Sequence, residues 1–358
     1  MNNDPSSKLA DDGPIEVSIV VPLFNEQENV TALYQEIAAV MSSAEQRYEV
    51  IFVDDGSKDR TVVNLWEAAR GDPRASIIEL TKNFGQTAAM AAAFERARGR
   101  VIVPMDGDCQ NDPADIPALV AKLDEPPGYD IVSGWRKNRQ DRMLSRRLPS
   151  QLANALIRRM TWTREVHDFG CSMKAYRRDV LEDVRLYGEM HRFLPAICKW
   201  RGARVTEQVV NHRPRLAGTS KYGLKRTAKV LLDLMTVKFL GDYLTKPLYF
   251  FGKAAMLTMI VSFASLAVAI CQKYGYLTTA PEVRLNNNVL VLFAMMTFLM
   301  SVMFVMIGVI SELLVRIYHE AQERRPYKVR RTTRCGELGA SPPGKPGGGD
   351  DVPYRIAR

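Results

Sequence analysis

The stretch Val101-Ile102-Val103-Pro104-Met105-Asp106-Gly107-Asp108-Cys109-Gln110 decides the fold. An uncharged β-branched run reads as a buried strand, and this one stops at two carboxylates separated by a single glycine. Asp106 and Asp108 are therefore expected at the exit of a strand. In open α/β sheets that edge, outside the carboxyl ends of the strands, is where ligands sit. Two hard oxygen donors so close suit Mg²⁺ or Mn²⁺, which keeps positions for water and for the oxygens of a diphosphate. Asp and Gly are also common turn residues, so the motif alone fits a plain turn equally well.

Upstream stretches repeat the pattern. Val17 to Val21 ends in Pro22, and Asn25 and Glu26 then lead into a helical stretch to about Met41. Tyr48 to Val53 ends in Asp54-Asp55-Gly56-Ser57, with Ser57 a candidate N-cap for a helix through Ala69. Ser76 to Leu80 precedes Asn83-Phe84-Gly85-Gln86 and an alanine-rich helix from Thr87 to Ala97. Short strands alternating with helices imply βαβ units, hence an α/β fold with a doubly wound, mostly parallel sheet. Its ligand edge would gather Asp54, Asp55, Asp106 and Asp108, four acids whose repulsion a divalent cation or ligand hydrogen bonds would relieve.

A fifth strand, Asp130 to Gly134, runs into a segment dense in arginine, with Arg136, Arg139, Arg142 and Arg147 as its cluster. Guanidinium groups bind phosphate oxygens in bidentate fashion, and this cluster is denser than solubility requires. Arg158 and Arg159 read instead as a solvated helix face. Further on, His167-Asp168-Phe169-Gly170-Cys171 leads to Met173 to Tyr176 and a helix near Arg178. Arg213 to Tyr222 places cations and hydroxyls on a glycine-bearing loop suited to more phosphate oxygens.

The net charge of +9 and pI near 9.3 raise the possibility of nucleic-acid binding. The basic blocks flank apolar segments, however, and no aromatic stacking pattern accompanies them, which argues against it. Spanning a hydrocarbon core takes about 20 helical residues. Ala254 to Ile270 and Val289 to Ile310 qualify, the second with only Thr297 and Ser301 as polar side chains. Lys238, Lys246 and Lys253 lie before the pair and Arg316, Arg324, Arg325, Lys328, Arg330 and Arg331 after it. The positive-inside rule then puts both flanks and both termini in the cytoplasm, at an inner membrane. Lys225 to Leu240 carries an apolar face at Val230, Leu231, Leu234 and Val237, which fits an interfacial helix or a core helix. Five widely spaced cysteines without a CxxC pair argue for reduced thiols. Residues 1–16 are polar and read as a disordered N-terminus with no signal peptide. The expected organisation is a cytosolic domain over 17–224, interfacial helices over 225–253, and a two-span hairpin over 254–315 (about 254–271 and 289–311). A basic, largely disordered tail over 316–358 follows.

A carboxylate rim, arginine-rich loops and a membrane hairpin join a soluble phosphorylated ligand to something in the bilayer. The chain resembles the family 2 glycosyltransferases of GT-A type, in the polyprenyl-phosphate group that includes dolichol-phosphate mannose synthase and the bacterial undecaprenyl-phosphate transferases for glucose and 4-formamido-arabinose. The residues that carry the resemblance are VVPLFNE (20–26), VDDGSKD (53–59), LTKNFGQTAAM (80–90), MDGDCQNDP (105–113), RKNRQD (136–141), DFGCSMKAYRR (168–178), AGTSKY (217–222) and ISELLVRIY (310–318).

The resemblance implies roles. Pro22, Phe24, Asn25, Glu26, Asp54, Asp55 and Asp106 match nucleotide-binding positions; Asp106, Asp108 and Gln110 match the metal motif, where Gly107 replaces the family's usual alanine. Arg136, Arg142, Arg147, Arg215, Ser220 and Lys221 fall among positions linked to acceptor or donor phosphate. Asp168 matches the residue proposed as base or positioner, so Asp106, Asp108 and Asp168 are the candidate catalytic residues. The implied partners are a UDP- or GDP-linked sugar, a polyprenyl phosphate, the bilayer and further copies of the chain in a homotetramer. A processive polysaccharide synthase would need a QxxRW motif and more spans. A non-catalytic membrane scaffold that retains the nucleotide-sugar fold is the alternative from a different class.

Overall fold

The computed structural model describes residues 13–44, 46–137, 154–155, 157–159, 161, 163–182, 184, 186, 188, 190–214, 247–274, 276, 288–320 and 329–336. The chain divides into two units, Met1–Met235 with Arg325–Arg358, and Thr236–Arg324.

The first unit contains β1 (Val17–Leu23), α1 (Val30–Ser43), β2 (Tyr48–Asp54), α2 (Thr61–Ala69), β3 (Ala75–Leu80), α3 (Gln86–Phe94), β4 (Val101–Pro104), α4 (Ile116–Asp124) and β5 (Ile131–Trp135). These are followed by β6 (Lys174–Arg177), α5 (Arg178–Glu182), α6 (Leu194–Trp200), β7 (Val205–Val209) and, after the second unit in sequence, β8 (Val329–Arg334). They form one mixed sheet in the order β7-β5-β6-β4-β1-β2-β3-β8. The strands β3, β2, β1 and β4 run parallel, as do β5 and β7, while β6 and β8 run antiparallel to their neighbours.

Why the central strands are central is plain in their side chains. β2 is buried along its whole length, and β1 at every position but Pro22. The side chains of Val17, Ile19 and Val21 join Leu33, Ile37 and Met41 of α1 in the core. α3 packs on β1 and β2 through the small side chains of Ala88, Ala89, Ala92 and Ala93, which permit close approach. At the N-terminal ends of the strands the buried Glu49 carboxylate accepts from the Ser18 hydroxyl, the Arg98 backbone N–H and the Arg98 guanidinium. The Ser18 Oγ in turn accepts from Gly99 N–H.

Four boundaries differ from expectation. α2 begins at Thr61, and Ser57 does not cap it: Asp59 Oδ1 takes the Thr61 N–H and hydroxyl, while the Ser57 hydroxyl accepts from Asn25 N–H. Residues 15 and 16 already pair with the sheet, through Glu16 N–H to the Arg47 carbonyl and Arg100 N–H to the Ile15 carbonyl, so the N-terminal tail ends sooner. Residues 247–253 continue into the first apolar helix instead of forming a separate interfacial one; 225–246 lie outside the described residues. Within the expected C-terminal tail, β8 pairs with β3 from Ser76↔Arg334 to Leu80↔Val329 and buries Thr333 and Cys335. All five cysteines are free.

The second unit contains α7 (Pro247–Lys273) and α8 (Val289–Glu320), both long and apolar enough to cross a membrane. They pack through small and hydroxylated residues. Ser262 Oγ donates to the Ala294 carbonyl at 2.7 Å and Ser301 Oγ to the Ala255 carbonyl at 2.8 Å. Outward they present Met256, Leu257, Ile260, Met296, Leu299, Met303 and Met306, an apolar surface whose natural solvent is lipid.

The Glu49 network sets a stability test. Glu49→Ala strands the Ser18 hydroxyl and removes the partner of Arg98. The Arg98 side chain is 58% exposed, so solvent screens part of the loss, and the expected destabilisation is about 2 kcal/mol. Chemical denaturation of the full chain in detergent measures it, and a change within error of zero rejects the network as a stabilising element.

Candidate active site

The turn after β4 brings the acidic pair into a cleft. Met105 is buried, and Asp106 and Asp108 are half-buried at the strand's exit. Cys109 adopts φ 58°, a left-handed conformation rare outside glycine, and its thiol points inward toward the Asn29 carbonyl. A Cβ on Gly107 would come within 2.5 Å of the terminal methyl Leu23 Cδ2, which would have to shift to admit it. Asp106 Oδ1 accepts from Gln86 Nε2 at 2.8 Å, and the Ser172 hydroxyl also hydrogen-bonds this carboxylate. The Asn111 amide donates to that same hydroxyl at 2.7 Å. Burial, and then the charge of Asp108, raises the Asp106 pKa above the ordinary carboxylate value.

These donors fit a divalent cation. Among the described residues no set of three His, Cys, Asp or Glu side chains closes on a metal position. A cation at Asp106 and Asp108 would therefore complete its shell with oxygens from outside the chain, as Mg²⁺ and Mn²⁺ commonly do. Gln110 lies beside the pair; its backbone N–H donates to Asp108 Oδ1 and its carbonyl accepts from Arg213 N–H.

The loops after β1 and β2 interlock. Asn25, at φ 56°, donates its N–H to Ser57 Oγ and accepts from Lys58 N–H. Glu26 N–H donates to Thr61 Oγ1, and the Glu26 carboxylate accepts from Asn29 Nδ2. Pro22 sits opposite Val53, and Phe24 is half-buried beside them. Both Asp55 oxygens are occupied, accepting from Phe84 N–H and Gly85 N–H at 2.7 and 2.8 Å. Gly56 is obligatory here: it has φ 73°, and a Cβ would meet the Lys82 carbonyl carbon at 2.6 Å. Asp54 differs from its neighbour. Its Oδ2 accepts from Ser57 N–H, but its buried Oδ1 has no hydrogen-bond partner among the described residues. Burial raises the Asp54 pKa, against the opposing bonds from Ser57.

The opposite wall belongs to the loop before β6. Arg136 and Asp168 form a bidentate pair, Nε to Oδ2 at 2.7 Å and Nη2 to Oδ1 at 3.0 Å, with side chains 11% and 4% exposed. Gly170 N–H also donates to Asp168 Oδ1. The expected phosphate-binding role of Arg136 is thus limited by its commitment to Asp168. Glu207 holds the preceding turn through His167 N–H and Nδ1, and the His167 ring stacks on Trp135 at 4.7 Å.

Sequence reasoning overlooked Gln86, Ser172, Lys174 and Arg192 as site residues. Lys174 lies on β6, which is buried at Lys174, Ala175 and Tyr176, and donates to the Cys171 carbonyl. A lysine inside an otherwise buried strand was the available signal. His191 has Nδ1 2.6 Å from Thr87 Oγ1 and so ties the 3₁₀ turn Met190–Phe193 to α3. Gln86, Asp106, Ser172, Lys174, His191 and Arg192 line a common cavity. Arg142, Arg147, Arg215, Ser220 and Lys221 lie outside the described residues.

A family model described as glycosyl transferase family 2 matches residues 18–185. The chain is 40% identical over 334 residues to dodecaprenyl-phosphate galacturonate synthase of Rhizobium johnstonii, covering 92% of this chain and 94% of that protein. It is 36% identical over 319 residues to undecaprenyl-phosphate 4-deoxy-4-formamido-L-arabinose transferase of Yersinia pestis, covering 88% and 93%. Among solved structures, glucosyl-3-phosphoglycerate synthase of Mycobacterium tuberculosis with Mn²⁺, UDP-glucose and phosphoglyceric acid superposes with TM-score 0.51 at 16% identity, covering 63% of this chain and 79% of that one. Mannosyl-3-phosphoglycerate synthase of Rubrobacter xylanophilus gives TM-score 0.52 at 17% identity, covering 63% and 74%. The acidic turn, the interlocked loops and relatives aligned along nearly the whole chain lead to one assignment: the chain belongs to glycosyl transferase family 2, among its polyprenyl-phosphate glycosyltransferases.

Proposed function

We propose that this protein transfers a sugar from a UDP-linked donor to a polyprenyl phosphate at the cytoplasmic face of a membrane, with inversion at the anomeric carbon. The observation that carries the reading is the half-buried pair Asp106 and Asp108 at the end of β4, in a chain that also carries an apolar helical hairpin. The relatives named above act on polyprenyl phosphates and differ in their sugar.

Asp54 supports uridine over guanosine. One of its oxygens is taken by Ser57 N–H and the other, buried, has no hydrogen-bond partner among the described residues. A single unpaired acceptor matches the one N–H on the pairing edge of uracil, whereas guanine presents adjacent N–H groups that call for both oxygens. Asp55 and Asn25 bind no base in this reading; they hold the two loops that shape its pocket.

At Asp106 and Asp108, with Gln110 beside them, Mg²⁺ or Mn²⁺ would supply charge neutralisation for the departing diphosphate. The nucleophile is an oxygen of the lipid phosphate. A new bond forms from that oxygen to the anomeric carbon as the carbon–diphosphate bond breaks, and the nucleoside diphosphate leaves with the bonding pair. A phosphate monoester has a second pKa of about 6, so the nucleophile is mostly ionised at neutral pH and no base is required. Asp168 therefore acts as a positioning residue: clamped by Arg136 and Gly170 N–H, it fixes the wall opposite Asp106.

Full-length protein supplied with labelled UDP-sugars, undecaprenyl phosphate and Mg²⁺ or Mn²⁺ is expected to form labelled glycolipid. Absence of product across the donor panel, with unaltered lipid-linked sugar in a deletion strain, rejects the function. Asp106→Asn and Asp108→Asn are each expected to lower turnover on the order of 10²-fold or more. Asp168→Asn should cost less than the roughly 10²–10⁴-fold associated with loss of a general base, and should leave the pH–rate profile in place. Disappearance of an acid limb from that profile would make Asp168 a base.

A further inference from the structure

The cavity beyond Asp106 carries positive charge that the transfer step does not use. Lys174 is 3% exposed; its ammonium donates to the Cys171 carbonyl, burial lowers its pKa, and the charges of Asp168 and Asp106 oppose that shift without a direct ion pair among the described residues. Arg192, half-buried on the 3₁₀ turn, has neither a hydrogen bond nor an ion pair among the described residues. His191, adjacent to Arg192 in sequence, is held at Thr87 and kept neutral, its pKa lowered to about 3 by burial and then by the charges of Arg192 and Lys174. The cavity lining thus combines a carboxylate, the amide of Gln86 and the hydroxyl of Ser172 with the basic side chains of Lys174 and Arg192.

The order of groups in the donor decides what enters. In the function proposed above the diphosphate lies at Asp106 and Asp108, so the sugar attached to it is the group that reaches the cavity. A neutral hexose needs hydrogen-bond partners, which Gln86, Ser172 and His191 supply. It has no use for an uncommitted guanidinium, which is costly to withdraw from water without an anion. A carboxylate on the sugar ring answers it, because a guanidinium meets a carboxylate through two parallel N–H donors.

We infer that Arg192, with Lys174 behind it, selects an acidic sugar, and that the donor class is a nucleoside diphosphate hexuronate whose carboxylate pairs with the Arg192 guanidinium. This rests on the transferase reading. Arg192 acts as a specificity residue for the ring substituent, away from the bonds that form and break.

The test compares UDP-galacturonate with UDP-galactose, which differ only in carboxylate against hydroxymethyl. The full chain in nanodiscs, with Mn²⁺ and undecaprenyl phosphate, is assayed for glycolipid. The wild-type protein is expected to favour the uronate by about tenfold or more in kcat/KM, and Arg192→Gln to reduce that preference by about tenfold, through the uronate arm, with the KM for lipid phosphate unmoved. Arg192→Lys should retain part of the preference, which separates charge recognition from folding, and thermal unfolding reports the integrity of both variants. Equal use of the two donors by the wild-type protein overturns the inference, as does an equal loss with both donors in folded Arg192→Gln. A raised KM for lipid phosphate with the donor preference unchanged also overturns it, by assigning the cations to the acceptor. Transfer from neutral UDP-sugars alone removes the inference and leaves the transferase standing, whereas failure with every donor removes both.

Discussion

Two carboxylates held a residue apart in a cleft repel each other, and the energy of that repulsion rises as water is withdrawn. The architecture around Asp106 and Asp108 manages this strain without abolishing it. Gln86 and Ser172 each donate to Asp106, and Asn111 orients Ser172 in turn, so the carboxylate is aimed while remaining proton-hungry. A group kept in that condition is an avid partner for a doubly charged cation. The parallel strands and the alanine face of α3 serve to bring these side chains within reach of one another.

Around this centre the polar residues sort into two kinds. Some are consumed by the frame: Asp55 by the Phe84–Gly85 backbone, Asn25 by the loop after β2, and Asp168 by Arg136. Others retain an unused valence among the described residues, as the buried Asp54 Oδ1 does and as Arg192 does in the cavity lining. A buried polar group without a partner is costly, and a binding protein can recover that cost only from its ligand. Hydrogen-bonding capacity is thus spent at some positions and unspent at others within motifs that look uniform in the sequence.

Much of the fold was legible because hydrophobic runs and turn residues act locally. The strands β1 to β5 fall within a residue or so of the positions expected from β-branched runs. What escaped depended on contacts distant in sequence. Ser57 resembles an N-cap, but Asn25 on another loop claims its hydroxyl, and Asp59 holds the start of α2. Adjacent acids in Asp54-Asp55 cannot be told apart without knowing that the loop after β3 passes beneath one of them. Lys174 lies inside the DFGCSMKAYRR stretch, but its place inside the sheet follows from β6 inserting antiparallel between β4 and β5. β8 was masked by composition: VRRTTR reads as a solvated basic tail, and only the open edge of β3 turns it into a strand.

That last strand has a bearing on how the molecule is made. β8 lies after α7 and α8 in the chain, yet it belongs to the same sheet as β1. A ribosome must therefore emit the whole apolar hairpin before the sheet can acquire its final edge. Until then β3 offers a row of unsatisfied amides and carbonyls to any passing strand. Maturation of the soluble-looking catalytic unit is thereby tied in time to delivery of its hydrophobic insert, so a complete sheet becomes available only once the anchor has been synthesised.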